Sequence, residues 1–168
     1  MELKYKITDE CKVFGEITLH RIEALKDFND VKKGDKGGYI EKENNLSQYG
    51  DAWVCGDALV CGNAEVCGNA KVYGNAEVCG DAEVYGDAKV YGDAWVCGNA
   101  KVCGNADYIV FKNWWSSGRY FTWTRSNDKW RVGCFYGTGD ELIAKAYEDS
   151  ETSGKNYEKI VKYVESIK

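Results

Sequence analysis

Ten glycines at an unbroken spacing of six, from Gly50 through Gly56, Gly62, Gly68, Gly74, Gly80, Gly86, Gly92 and Gly98 to Gly104, constrain this chain more than any other feature. Each is followed by Asp or Asn, then Ala, then a variable residue, then Val in nine of ten units, then Cys or Tyr in nine. Gly-Asp and Gly-Asn are turn chemistry, because both residue types tolerate the positive φ of a sharp corner. The Ala-x-Val-x that follows reads as a short strand with Ala and Val on one face. A six-residue period of strand and corner predicts a β-helix with three sides, roughly 18 residues to a coil. The register extends back through Gly38-Tyr-Ile and Asn44-Asn-Leu, which set Ile40 and Leu46 in the Ala column. The expected fold is therefore mainly β: a left-handed parallel β-helix over residues 38–109, with four coils and a height of about 20 Å. The Ala and Val columns never slip, which excludes a disordered low-complexity tract.

The flanks lack the period and read as appendages. Residues 1–37 contain two strand-like stretches, Leu3–Thr8 and Glu16–Leu25, whose natural task is to cap the open strand edges of the first coil. Residues 110–168, joined by Tyr108–Lys112, predict a β-β-β-α-α unit. Its strands are Tyr108–Lys112, Arg119–Arg125 and Lys129–Tyr136, with turns at Ser116-Ser-Gly and Ser126-Asn-Asp. Thr138 and Glu141 form a capping-box pattern ahead of a first helix bearing Leu142, Ile143, Ala146 and Tyr147 on one face. A second helix over about 153–167 presents Tyr157, Ile160, Val161, Val164 and Ile167.

Outward positions sort into three faces, and one of them (Leu59, Cys61, Glu77, Cys79, Trp95, Cys97) carries a single charge. An apolar side of a prism needs a cover, and packing about a threefold axis would supply it, so a homotrimer is expected; the alternative is that the chain's own termini lie over this face. Six of the eight cysteines occupy the last slot of the hexad, interchangeably with Tyr, and so read as outward side chains in a reducing compartment and not as a disulfide framework. The Cys61, Cys79 and Cys97 ladder is straight and does not converge as metal ligands must, so apolar contact is its expected use and no metal or cofactor is expected.

Charge and aromatics bear on function. The chain is acidic, with a net charge of −5, which excludes a general binder of long nucleic acid. It has neither an 18-residue apolar run nor the apolar core of a signal peptide, so no membrane association is expected. Residues 107–137 run against the trend, with five basic and two acidic side chains. There Trp114, Trp123, Trp130 and Tyr136 interleave with Arg119, Arg125 and Arg131, a set of rings for stacking and forks for phosphate. These seven are the candidate ligand site, for a small nucleotide of the cyclic-nucleotide or ADP-ribose type. The same rings would equally serve as the core of a small sheet. Gly137-Thr-Gly ahead of a helix could add backbone donors for an anion. Acyl transfer is the obvious enzymatic use of a hexapeptide prism. However, His20, the only histidine, falls outside the prism and no loop interrupts residues 50–109, so proton removal has no evident agent and the chain is expected not to be an enzyme.

The run Glu23-Ala-Leu-Lys-Asp-Phe-Asn-Asp-Val-Lys-Lys-Gly-Asp-Lys-Gly-Gly-Tyr-Ile leads into the Gly-Asn/Asp-Ala units. It resembles a family of bacteriophage and prophage hexapeptide-repeat proteins. The tail from Tyr108-Ile-Val-Phe-Lys-Asn-Trp-Trp to Gly-Cys-Phe-Tyr-Gly-Thr-Gly-Asp-Glu-Leu resembles a module that recurs beside them. Some β-helix proteins of this kind are similar to trimeric sponges that sequester nucleotide immune signals. The resemblance implies a phage-encoded anti-defence protein, acting in the cytoplasm of the infected bacterium, that binds and withholds such a signal. No family residue maps onto a position of this sequence. The other expectation is a structural or protein-interaction module with the prism as a rigid scaffold.

Overall fold

The computed structural model describes residues 2–168. The hexads fold into a β-solenoid of about four coils. Its sides are built from β3 (Lys36–Ile40) and nine two-residue strands: β4 (Trp53–Val54), β5 (Leu59–Val60), β6 (Glu65–Val66), β7 (Lys71–Val72), β8 (Glu77–Val78), β9 (Glu83–Val84), β10 (Lys89–Val90), β11 (Trp95–Val96) and β12 (Lys101–Val102). From β4 on every third strand stacks in parallel, and β3 stacks on β5, giving the sets β4-β7-β10, β6-β9-β12 and β3-β5-β8-β11. Register is exact to the hexad from β4 onward: Leu59 lies beside Glu77, which lies beside Trp95, and Val60, Val78 and Val96 follow in line. In the first coil Ile40 lies beside Val60 and Leu46 beside Val66, which places both in the Val column and not in the expected Ala column. The Ala and Val columns fill the interior, each residue at most 1% exposed from Ala52 to Val102. The residue types at the corners have a sharper division of labour than the sequence indicates. Nine glycines from Gly50 to Gly98 take φ between 63° and 74°, while the Asp and Asn beside them do not. At Gly104 the backbone is extended, with φ −151°, and there the chain turns through Asn105–Asp107 and leaves the prism.

Each end of a parallel solenoid presents unpaired backbone groups, and each is covered by its own chain. At the first coil, the antiparallel hairpin of β1 (Tyr5–Phe14) and β2 (Ile17–Ala24) joins β3 and extends one sheet to six strands. Both strands lie close to the expected stretches, but β1 runs on through Asp9–Phe14. The Tyr5 hydroxyl donates to the Leu46 carbonyl at 2.7 Å, and the Lys4 ammonium, 1% exposed, donates to the Ala52 carbonyl at 2.8 Å. At the last coil side-chain acceptors serve all three sides of the prism, and Asp107 also takes Cys103 N–H at 2.8 Å. Asn105 Oδ1 takes Lys89 N–H at 3.2 Å, Thr122 Oγ1 takes Trp95 N–H at 2.9 Å, and Ser126 Oγ takes Lys101 N–H at 2.6 Å.

The C-terminal unit is β13 (Tyr108–Lys112), β14 (Tyr120–Thr124), β15 (Lys129–Val132), β16 (Phe135–Gly137), α1 (Gly139–Asp149) and α2 (Glu151–Ile167). It is an antiparallel sheet in simple order followed by two helices. The expected third strand is two, because Gly133, at φ 55°, breaks it into a hairpin. Thr138 and Glu141 form the capping box at α1. One sheet face packs Phe121, Trp123 and Trp130 against Leu142, Ala146, Tyr157, Val161 and Val164 of the helices; the other turns toward the last coil. Tyr147 and Ile167 lie outside that core, exposed at the helix surface. Among the described residues no helix is long and apolar enough to cross a membrane.

The apolar prism face is where the structure corrects the argument for a trimer. Phe14, Ile17 and Leu19 of the cap pack over Tyr39, Leu59 and Cys61, and the C-terminal sheet lies over Trp95 and Cys97. Much of the face is thus covered within one chain, and that share of it no longer calls for neighbouring copies. All eight cysteines are free thiols.

Two predictions test this construction. A Cβ on Gly80 would lie 3.0 Å from the Gly98 carbonyl, whereas one on Gly92, with φ 67°, would meet nothing within 4 Å. Gly80→Asn is therefore expected to destabilise by about 1–3 kcal/mol in denaturant unfolding, and Gly92→Asn by much less, since Asn tolerates the left-handed backbone. Burial lowers the Lys4 pKa to about 8, against the nearby Asp51 that raises it. Between about pH 8 and 10.5 the unfolded chain thus holds more of the Lys4 proton than the folded one, and stability from this group rises with pH. The melting temperature of the protein relative to Lys4→Met is expected to climb across that window.

Candidate functional site

Where the last sheet meets the solenoid, an open cleft of about 320 Å³ lies between β8–β11 and the β14–β15 region. Asn75, Glu77, Asp93, Ala94 and Trp95 line it from the solenoid, and Arg119, Tyr120 and Gly133 from the appendage. The hexad register sets Glu77 and Trp95 one rung apart on the same face. Pairing of β14 with β15 sets Arg131 opposite Thr122, whose hydroxyl holds Trp95 N–H, so Arg131 projects toward the solenoid. Its guanidinium lies over the Trp95 ring, 4.4 Å from the centroid.

Three polar atoms are buried together in this cluster: Glu77 Oε2, Trp95 Nε1 and Arg131 Nε. The Trp95 N–H stands close enough to Glu77 to act on its carboxyl as a hydrogen-bond donor, and Arg131 adds its charge, so the three groups form one small polar cluster between the solenoid and the appended sheet. Burial raises the Glu77 carboxyl above the usual carboxylate range, with the Trp95 N–H and Arg131 opposing the rise. The chemistry available is a partly desolvated carboxyl flanked by an indole N–H and a guanidinium.

The seven residues marked by the sequence separate into different surroundings. Trp123 and Trp130, each 1% exposed, are core between sheet and helices. The Trp123 indole N–H donates to Asp128 at 2.8 Å. Trp114 is 75% exposed on the loop after β13 and is stacked edge-on to Trp115. Arg125 donates through Nε to the Ala106 carbonyl at 3.1 Å, near the point where the chain leaves the prism. Tyr136 reaches the corner at Gly98, its hydroxyl accepting from Asn127 at 3.1 Å. Of the set, Arg119 lines the cleft and Arg131 backs it. Glu77, Trp95 and Tyr120 complete it and escaped the reading. Their signal was the one charge on an otherwise apolar prism face, with an indole a coil away.

No protein-family model matches the chain. A curated relative, an uncharacterized acetyltransferase, YdcK, of Escherichia coli K12, is 36% identical over 59 aligned residues, which cover 30% of this chain and 18% of the relative. The chain thus spans less than a fifth of that protein's length. The relative is bacterial, and nothing in the match bears on the bacteriophage resemblance. The likeness to a protein named an acetyltransferase overturns the expectation that this chain is not an enzyme. That expectation rested on the lack of a histidine in the prism, and a carboxylate such as Glu77 can also carry a proton. The repeat and the solenoid give the chain a hexapeptide-repeat β-helix fold, and this likeness fits it.

Replacing Trp130 by Ala is expected to cost about 3–5 kcal/mol in thermal or denaturant unfolding, the signature of a core position, whereas Trp114→Ala leaves stability within about 0.5 kcal/mol.

Proposed function

We propose that the protein transfers an acyl group from a nucleotide-bearing thioester such as acetyl-coenzyme A, bound in the cleft at Glu77, to an amine or hydroxyl. The observation that carries the reading is the half-buried Glu77 carboxyl, raised above its ordinary range by burial and grouped with the Trp95 indole N–H and the Arg131 guanidinium at the edge of a cleft. The relative's name points the same way. In this reading the ionised Glu77 takes the proton of the acceptor as its oxygen or nitrogen attacks the thioester carbonyl. Negative charge builds on the carbonyl oxygen, and the thiolate leaves as the tetrahedral adduct collapses. Trp95 N–H and Arg131 N–H are the donors at hand for that charge. A base in this role must be ionised, and a raised pKa strengthens it as a proton acceptor.

Release of free thiol from acetyl-coenzyme A, assayed against a panel of amines and alcohols, tests the proposal. Glu77→Gln is expected to slow turnover by about 10²–10⁴-fold. The protein's rate should also rise with pH through a limb above the usual carboxylate range, which the variant lacks. Acetyl-coenzyme A bound tightly but released intact would overturn the transfer step, and would favour the withholding of a nucleotide signal that the phage-protein resemblance implies.

A further inference from the structure

We infer that a second groove, on the far side of Tyr120, seats the base ring of the ligand's nucleotide by stacking it on Tyr91. The inference rests on the reading above that the ligand carries a nucleotide, and it names where that part lies. The groove has a volume of about 490 Å³ and is lined in part by Tyr91, Asp93, Asn105, Tyr108 and Tyr120. Asp93 and Tyr120 also line the cleft at Glu77, so the two cavities meet across one ring.

Hexad register explains why a ring is wanted there. Tyr73 and Tyr91 occupy the same slot one coil apart, stacked at 5.3 Å with 13° between their planes. The next rung of that column belongs to residue 109. The chain has left the prism by then, and Ile109 pairs instead with Trp123 in the appended sheet. The ring stack therefore ends on Tyr91, which is 51% exposed. A purine laid on it continues the column, and base–aromatic stacking needs no particular hydrogen-bond pattern.

The charges fit the remainder of such a ligand. Lys112 lies over the Tyr120 ring, 5.5 Å from its centroid, and Arg119 lines the cleft beside it. Among the described residues neither has a carboxylate partner, although eleven ion pairs occupy cations elsewhere on this acidic chain. Two unpaired cations flanking the ridge between a ring seat and the Glu77 cleft suit the diphosphate that joins a nucleoside to a reactive arm. Asp93 already accepts from Asn75 at 3.2 Å and stands at the junction, where sugar hydroxyls would donate.

Calorimetric titration with ADP and, separately, with inorganic pyrophosphate tests the seat without any turnover. ADP is expected to bind more tightly than pyrophosphate. Tyr91→Ala should weaken ADP by about 5- to 150-fold, the range for one stacked base, while Tyr91→Phe keeps the affinity and pyrophosphate is unaffected. Equal binding of ADP and pyrophosphate, no binding of ADP, or unchanged ADP affinity in Tyr91→Ala each overturns the inference. Turnover of acetyl-coenzyme A with an unchanged KM in Tyr91→Ala would sink the seat and leave acyl transfer standing. Tyr91-dependent ADP binding without thiol release would do the reverse.

Discussion

A hydrogen-bonded return of the chain upon itself every eighteen residues governs everything else in this molecule. Each rung is bonded to the next through backbone groups such as Trp53 N–H to the Ala70 carbonyl at 3.0 Å and Cys55 N–H to the Val72 carbonyl at 2.9 Å. Strands of two residues could not hold together by side-chain packing alone. They persist because those of the middle coils, β5 to β9, are bonded on both edges and each Val points into a column of identical neighbours. The corner glycines make the return possible: stacked 3.0–3.3 Å from where a neighbour's Cβ would meet them, most have room for nothing larger.

Such a column satisfies itself everywhere except at its ends, and the appendages follow from that need. The buried Lys4 ammonium and Tyr5 hydroxyl serve the carbonyls of the first coil, and side chains from residues 105–126 serve the amides of the last. The same contacts orient the C-terminal sheet. Because Thr122 is held on Trp95 N–H, its cross-strand neighbour Arg131 lands over the Trp95 ring, and the cleft forms between them. Edge protection and site building are thus one interaction seen from two sides.

Most of the fold was legible because it is periodic. Glycine, Ala and Val recur at fixed spacing, and the Thr138–Glu141 cap announces its helix by residue type alone. Non-periodic consequences were harder to read. An apolar face with Leu59, Cys61, Trp95 and Cys97 states that a cover exists, not whose it is, and the cover is the chain's own hairpin and sheet. The ring-and-arginine segment divides in the structure into core rings, Trp123 and Trp130, and side chains nearer the solenoid, such as Arg119 and Arg131. Strand alternation tells which residues share a face, and only the docked helices decide that Trp123 and Trp130 face inward. Glu77 belongs to the repeat's variable slot, where sequence marks it as the lone charge of an apolar face; that an arginine 54 positions away acts on its carboxyl follows only from the docked sheet.

A solenoid that supports its site in this way has an angular as well as a linear register. Inserting one hexad would carry the exit at Gly104 to the adjacent side of the prism, and the appended sheet would then land on the Lys71–Lys89 or the Glu83–Lys101 face instead of on Trp95. Inserting three would restore the side while lifting the sheet by about 4.8 Å, one rung farther from Glu77. Length variation in such a chain is therefore quantised, and each step has a direction as well as a size. Variants that gain or lose whole coils keep a stable prism but lose the pairing of Glu77 with Arg131, so the number of hexads is itself a determinant of the site's composition.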